Sequence, residues 1–319
     1  MDPVRFFASS KMLIVAGKGG VGKTVLGATL ATASARLGLS TLLIEVGGRS
    51  NAAPLLGVES IGYEPTEVPR PSGDSGPLHA RTITPDDALI EWLSLHGFRR
   101  IVRRMARSGL LEIIATATPG IKDLLVLGKI RNLEDSGAAD VIIVDAPAAG
   151  HAVGFLRAPA VIRDTARAGT IHRQADEALE MLSDPARCRV MLVTIPEETP
   201  VNELTETAFA VEEEIGVRLT PIVANSVLPD LAGLDVAVAG RPEALDLQPE
   251  VVADLTRAAA FRAGRAALQR EQLARLAQLL PLEQIRLPQI FSPSLTVGHV
   301  EDLAEVLISE IERLPEEGV

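Results

Sequence analysis

The sequence predicts an α/β protein, a doubly wound and mostly parallel sheet with an inserted helical subdomain. Three observations predict it. Short apolar runs alternate with helical patterns along the whole chain, as strands joined by helical crossovers do. Aromatic residues are 3% of a chain that is 47% hydrophobic, so the core must be built from Leu, Val, Ile and Ala, the usual filling of a parallel sheet flanked by helices. The 319 residues, 23% of them charged, suit one large domain and carry no internal repeat.

Residues 12–16 (MLIVA) read as a short buried strand. Residues 22–38 read as a helix, with Leu26, Leu30, Ala33 and Leu37 recurring on one face and Gly38 at the stop. Residues 41–46 (TLLIEV) are a second strand, reached by a crossover long enough for parallel pairing. Residues 58–77 hold Pro65, Pro69, Pro71 and Pro77 and read as an irregular loop. Residues 78–83 suggest another strand. Residues 85–136 are expected to be mostly helical, with a break at Pro119-Gly120. The run 141–145 (VIIVD) has the pattern of a central strand, and a helix is expected over about 160–183. Strands at 189–195 and 217–225 flank a helix near 201–215. Residues 228–247 lack a period, 250–280 form a long helical pattern, and 284–288 and 297–313 supply a last strand and helix. The chain is read as one domain, 1–319, whose helical subdomain comprises about 85–136 plus 155–185.

The segment after the first strand carries the chemistry. Gly17-Lys18-Gly19-Gly20-Val21-Gly22-Lys23-Thr24 satisfies G-x-x-x-x-G-K-[ST], and Val25 follows inside the helix it opens. Glycines let backbone N–H groups turn inward around a phosphate. The helix points its positive end at the same anion. Lys23 is placed to reach the β- and γ-phosphates, and the Thr24 hydroxyl to ligate Mg²⁺. Asp145, at the end of a central strand, is the acidic partner for that metal; its plain reading is a strand-terminal Asp capping a turn. A nucleotide with Mg²⁺ is therefore the expected ligand set.

Lys18 makes the loop resemble the deviant P-loop of the dimeric ATPases that include MinD, ParA, nitrogenase iron protein and ArsA. Further motifs resemble the ArsA family, which holds the arsenite-pump and guided-entry ATPases. Asp145-Ala146-Pro147-Ala148-Ala149-Gly150-His151, with Phe155-Leu156, is similar to its D-T-A-P-T-G-H…F-L switch segment. Thr118-Pro119-Gly120-Ile121-Lys122-Asp123 is similar to its P-G-x-x-E element. The resemblance implies that the nucleotide is ATP or ADP, and that Lys18 reaches across a dimer interface to the partner's nucleotide. It also implies that Asn225, in the segment Ile222–Pro229, hydrogen-bonds adenine, that Pro288 belongs to a loop closing over the base, and that Glu203 lies near the nucleotide.

The sequence departs from the family pattern in three places. Where the family carries D-P-A after the second strand, with an aspartate that orients the attacking water, the run is Glu45-Val46-Gly47-Gly48-Arg49, and Gly47 takes the aspartate's place. Glycine cannot position water, and phosphoryl transfer rests on positioning. This strand resembles one member of the actinobacterial type in which ArsA-like proteins come in pairs. The expected partner is a second copy or an ArsA-like paralogue, the client being unnamed by the sequence. Two functions stay open: an ATPase switching a dimer between two states, or a hydrolysis-impaired nucleotide-binding subunit of a heterodimer. Second, Cys188 is the only cysteine, so there is no intrachain disulfide, no dimer-clasping CxxC and no structural zinc site of that kind. Third, five methionines offer no Met-rich segment for cradling a membrane helix.

A net charge of −11 argues against nucleic acid. No apolar run approaches membrane-spanning length, and Met1–Ser10 does not read as a signal peptide, so a cytoplasmic location is expected. Within 98–107, Arg99, Arg103 and Arg107 recur beside an apolar face of Phe98, Ile101, Val102 and Met105. A packed amphipathic helix with a solvated basic side is the favoured reading, because the stripe is short. Peripheral contact with an acidic partner or anionic lipid through those arginines is the functional one.

Overall fold

The computed structural model describes residues 1–48, 50–69, 75–95, 120–147, 149–231 and 248–316. Among them are eight strands: β1 (Met12–Ala16), β2 (Thr41–Val46), β3 (Thr66–Glu67), β4 (Leu78–Ile83), β5 (Val141–Asp145), β6 (Cys188–Thr194), β7 (Ile222–Val227) and β8 (Gln284–Pro288). They form one sheet in the order β3-β4-β2-β5-β1-β6-β7-β8. All pairings are parallel except that of β3 with β4. Every residue of β1 and β5 is buried, which is why both read as unbroken apolar runs rather than alternating ones.

The two faces of the sheet are covered by different helices. Side chains alternate along a strand, so Leu13 and Val15 of β1 enter one core while Met12, Ile14 and Ala16 enter the other. The first core is closed by α1 (Pro3–Ala8), α2 (Lys23–Arg36), α3 (Ala53–Leu56) and α10 (Val297–Glu312). The second is closed by α4 (Pro85–Leu95), α5 (Ile121–Asp135), α6 (Ala149–Thr165), α7 (Thr170–Ser183) and α8 (Glu198–Phe209), with the end of α9 (Pro249–Leu279). The described parts of 85–136 and 155–185 thus form the layer on this face and pack on one another. Residues 96–119, including the basic stripe of Arg99, Arg103 and Arg107, lie outside the described residues.

Strand order places the site. From β1 the chain moves outward past β5 to β2; from β5 it crosses β1 to reach β6. The order therefore reverses between β5 and β1, and a crevice opens beyond their carboxyl ends. The loop at Gly17 and the side chain of Asp145 stand there.

Several expected boundaries shift for identifiable reasons. The helix expected over 160–183 is two helices, α6 and α7, parted at 166–169. α6 begins at Ala149, eleven residues earlier than expected, and runs through Pro159, which removes only one helical N–H. The strand expected over 217–225 begins at Ile222, because Pro221 offers no ladder donor; Leu219 makes one isolated bridge to Val190. The loop at 58–77 contains β3, a two-residue antiparallel addition to β4. α8 continues as a π-helical turn over Ala210–Ile215, ended by Gly216 with φ 80°. The first ten residues hold α1, capped where the Asp2 carboxylate accepts from the Arg5 N–H at 2.8 Å.

Candidate functional site

The loop between β1 and α2 is built by backbone freedom and close approach. Gly22 is the residue before α2 and has φ 96°, a left-handed conformation that glycine adopts at no steric cost. A Cβ there would also collide with the amide nitrogen of Asn225. At Gly17 a Cβ would collide with the carbonyl oxygen of Val193 on β6. Gly19 and Gly20 are exposed on the rim, Val21 is buried beneath it, and Val25 packs against the first core. The α2 N-terminus has no side-chain cap, which leaves its N–H groups to the loop's own concavity.

Two lysines stand at different levels of this loop. Lys23 is half-buried and turns back to donate to the Lys18 carbonyl at 3.2 Å. Burial lowers its pKa and the nearby Asp145 carboxylate partly restores it. Lys18 sits on the rim, its ammonium 2.6 Å from Glu203 Oε1 of α8. Both partners of that pair are more than a third exposed.

Thr24 and Asp145 meet below the loop. The Thr24 hydroxyl donates to Asp145 Oδ2 at 2.6 Å. Asp145 is buried, and burial raises its pKa to about 6; the Thr24 bond and Lys23 pull it down, while Glu45 pushes it up. Its second oxygen, Oδ1, is buried with no hydrogen-bond partner. That bare oxygen beside a hydroxyl is a hard-donor pair suited to Mg²⁺, which takes one or two protein ligands and draws the rest from phosphate and water. Among the described residues no group of three or more His, Cys, Asp or Glu could hold a metal by itself.

Asn225 and Pro288 approach from the β7–β8 side. The Asn225 amide donates to the Val21 carbonyl at 2.9 Å, so it rests on the phosphate loop in this state. Pro288 ends β8 opposite Val227, two residues beyond Asn225. The structure thus gathers Lys18, Lys23, Thr24, Asp145, Glu203 and Asn225 around one loop, whereas Pro288 is placed only by its pairing with Val227.

At the end of β2, Gly47 is exposed with φ 113°, and no atom lies within 4 Å of a Cβ built on it. Glu45, two residues earlier, is engaged elsewhere. It is buried, and its two oxygens accept the backbone N–H groups of Asn51 and Ala52 at 2.9 and 3.2 Å. The switch-like segment leaves β5 through Pro147 into α6. There Pro147 and His151 line a cavity of about 310 Å³ together with Gly120 and Asp123. Burial raises the pKa of Asp123, and His151 opposes the shift.

A residue outside every sequence motif also belongs here. Gln269 of α9 is buried and binds the backbone just beyond Asn225. Its one visible signal is a polar residue in the buried stripe Gln269, Leu273, Leu276 of a helix whose other residues are exposed or half-buried.

A mostly parallel sheet with this loop at its switch point defines a P-loop nucleotide-binding protein. Residues 10–174 match the family model described as anion-transporting ATPase. The chain is 31% identical over 264 residues to the ATPase BagA of Mycobacterium tuberculosis, covering 80% of this chain and 74% of that one. It is 25% identical over 238 residues to a Halobacterium salinarum protein named as an arsenical pump-driving ATPase, covering 69% and 36%. With ATPase get3 of Schizosaccharomyces japonicus it shares 30% over 154 residues, 48% of this chain and 45% of that one. The chain belongs to the ArsA family of anion-transporting ATPases: it binds ATP and hydrolyses it. No helix among the described residues is long and apolar enough to cross a membrane.

Proposed function

We propose that this ATPase is a nucleotide-dependent switch that works as a dimer, its partner being a second copy or a paralogue of the same family. The observation that carries the reading is the pair of lysines in one loop, Lys23 folded inward and Lys18 free on the rim apart from Glu203. Lys23 and the loop N–H groups hold the β- and γ-phosphates, with the α2 N-terminus behind them. Lys18 leaves Glu203 and reaches the nucleotide of the facing subunit. Thr24 and Asp145 would hold Mg²⁺, which supplies charge neutralisation at the phosphates. Asn225 exchanges the Val21 carbonyl for the base, and Pro288 flanks it. The segment from Asp145 to His151 carries the presence of the γ-phosphate to the cavity beside Asp123, and so to the helical layer.

A second reading is favoured by a specific observation. Gly47 holds no carboxylate at the place of the water-orienting aspartate, and Glu45 is committed to Asn51 and Ala52. On this reading the chain is the slow half of a heterodimer, and a paralogue that keeps the aspartate completes hydrolysis. Single-turnover hydrolysis of Mg-ATP, by the purified chain alone and mixed with such a paralogue, separates the two. A rate alone of ordinary ATPase size, on the order of 1 s⁻¹ or more, sinks the slow-half reading. Acceleration only on mixing supports it.

A further inference from the structure

β7 loses its neighbour before it ends. β6 pairs with β7 only at Val193↔Val223 and Thr194↔Ala224, so beyond Ala224 that side of the strand has no ladder. On its other side the register slips: Ala224 pairs with Arg286 and Val227 with Pro288, three steps on β7 against two on β8. The extra residue makes a β-bulge over Asn225 and Ser226, and Ser226 adopts φ 57°. Bulges next to sites turn a side chain in a new direction, and a non-glycine residue at positive φ persists only where its surroundings hold it there.

The holder is Gln269. Its Nε2 donates to the Ser226 carbonyl at 3.2 Å, and its Oε1 accepts the Leu228 N–H at 2.8 Å. One acceptor and one donor two residues apart are what a neighbouring parallel strand would engage with a single residue. The Gln269 side-chain amide therefore stands in for the missing rung of β6. It fixes the bulge, and the bulge turns Asn225 onto Val21 and against Gly22 of the phosphate loop.

We propose that Gln269 is a positioning residue for base recognition: from α9 it locks the bulge at Ser226 and thereby aims the Asn225 amide at the nucleotide. The inference rests on the reading of Asn225 as the base-contacting residue. Gln269 itself hydrogen-bonds only to the Ser226 carbonyl and the Leu228 N–H, and to no group of the phosphate loop.

Gln269→Leu removes both hydrogen bonds at similar volume. Gln269→Glu keeps the acceptor for Leu228 and loses the donor to Ser226, and serves if the leucine variant does not fold. Titrations with ATP, GTP and inorganic tripolyphosphate, on each variant and on Asn225→Ala, make the test. Either Gln269 variant is expected to lose affinity for ATP by about tenfold and to lose preference for ATP over GTP. Tripolyphosphate binding stays at the parent level, and in turnover KM rises while kcat holds. A folded variant that keeps ATP affinity and base preference overturns the proposal, as does tripolyphosphate binding that falls in step with ATP. If Asn225→Ala keeps base preference while a Gln269 variant loses it, the role of Asn225 is wrong and the aiming argument falls with it. If Asn225→Ala loses preference and the Gln269 variants do not, the reading of Asn225 stands and the assignment of Gln269 fails.

Discussion

Asp145 is a carboxylate in a place that does not favour one. It is buried at the end of β5, one oxygen takes the Thr24 hydroxyl, and the other has no partner. A buried acceptor without a donor is a standing cost, tolerated where a site needs it. The sign of the pH effect follows from the raised pKa. The native state holds its proton up to about pH 6, while the unfolded chain releases it near the ordinary aspartate value of 3.8. The contribution is therefore fully present below the unfolded value and is lost as pH rises through about 6. Asp145→Asn keeps the shape without the charge. In nucleotide-free, metal-free protein its Tm should gain on the parent as pH rises from 4 to 7, by calorimetry at several pH values. The same variant should lose at least about a hundredfold in ATP turnover, the usual loss when a preorganised charge-stabilising group is removed. A gap in Tm that is flat with pH would show that burial of the charge is not what shifts Asp145.

At the scale of elements, the joint between β1 and α2 leaves the least latitude. Gly22 combines φ 96° with a neighbour, the Asn225 amide, that a methyl group would strike. Gly22→Ala is expected to cost about 1–3 kcal/mol of stability from the backbone alone. It should also lower ATP affinity by more than tenfold, read by calorimetric titration, because the loop must move off Asn225. This joint was legible in the sequence, since glycine spacing, the preceding apolar run and the following helix all agree. So were the central strands, because a strand buried on both faces is a run of Val, Ile and Leu. What stayed hidden depends on single residues whose partners are distant in sequence. β3 is two residues paired to β4 inside a proline-rich loop. α6 was masked by Pro159, which reads as a breaker and costs only one bond. The bulge at Ser226 depends on an amide 43 residues away, and no local pattern announces it. Of the candidate site, Lys23 and Thr24 are legible from motif spacing, Asp145 from its place at the end of a central strand, and Lys18 from the family resemblance. The ion pair of Lys18 with Glu203 and the grip of Glu45 on Asn51 and Ala52 needed the fold.

For the whole molecule, the question is what releases Lys18. In the single chain its ammonium lies on Glu203, in a pair with both side chains more than a third exposed. Such pairs are worth about 0–1 kcal/mol, because water solvates the separated ions nearly as well. In the proposed dimer, a triphosphate from a facing subunit would offer far more negative charge than one carboxylate, so the exchange would favour closure with ATP bound on both sides. On that proposal Glu203 would tune the equilibrium without deciding it. Light scattering of the full chain with and without Mg-ATP, with a paralogue added where the chain alone stays monomeric, reads this directly. Lys18→Ala should retain ATP binding within about threefold, since the proposal gives that contact to Lys23 and the loop N–H groups, and should abolish the ATP-dependent rise in mass. Glu203→Gln should shift the ATP concentration for half-association by no more than about fivefold, the equivalent of 1 kcal/mol. A Lys18→Ala variant that still doubles in mass with ATP would remove the lysine from the interface. A Glu203→Gln shift beyond tenfold would mean that the pair is a latch rather than a resting place.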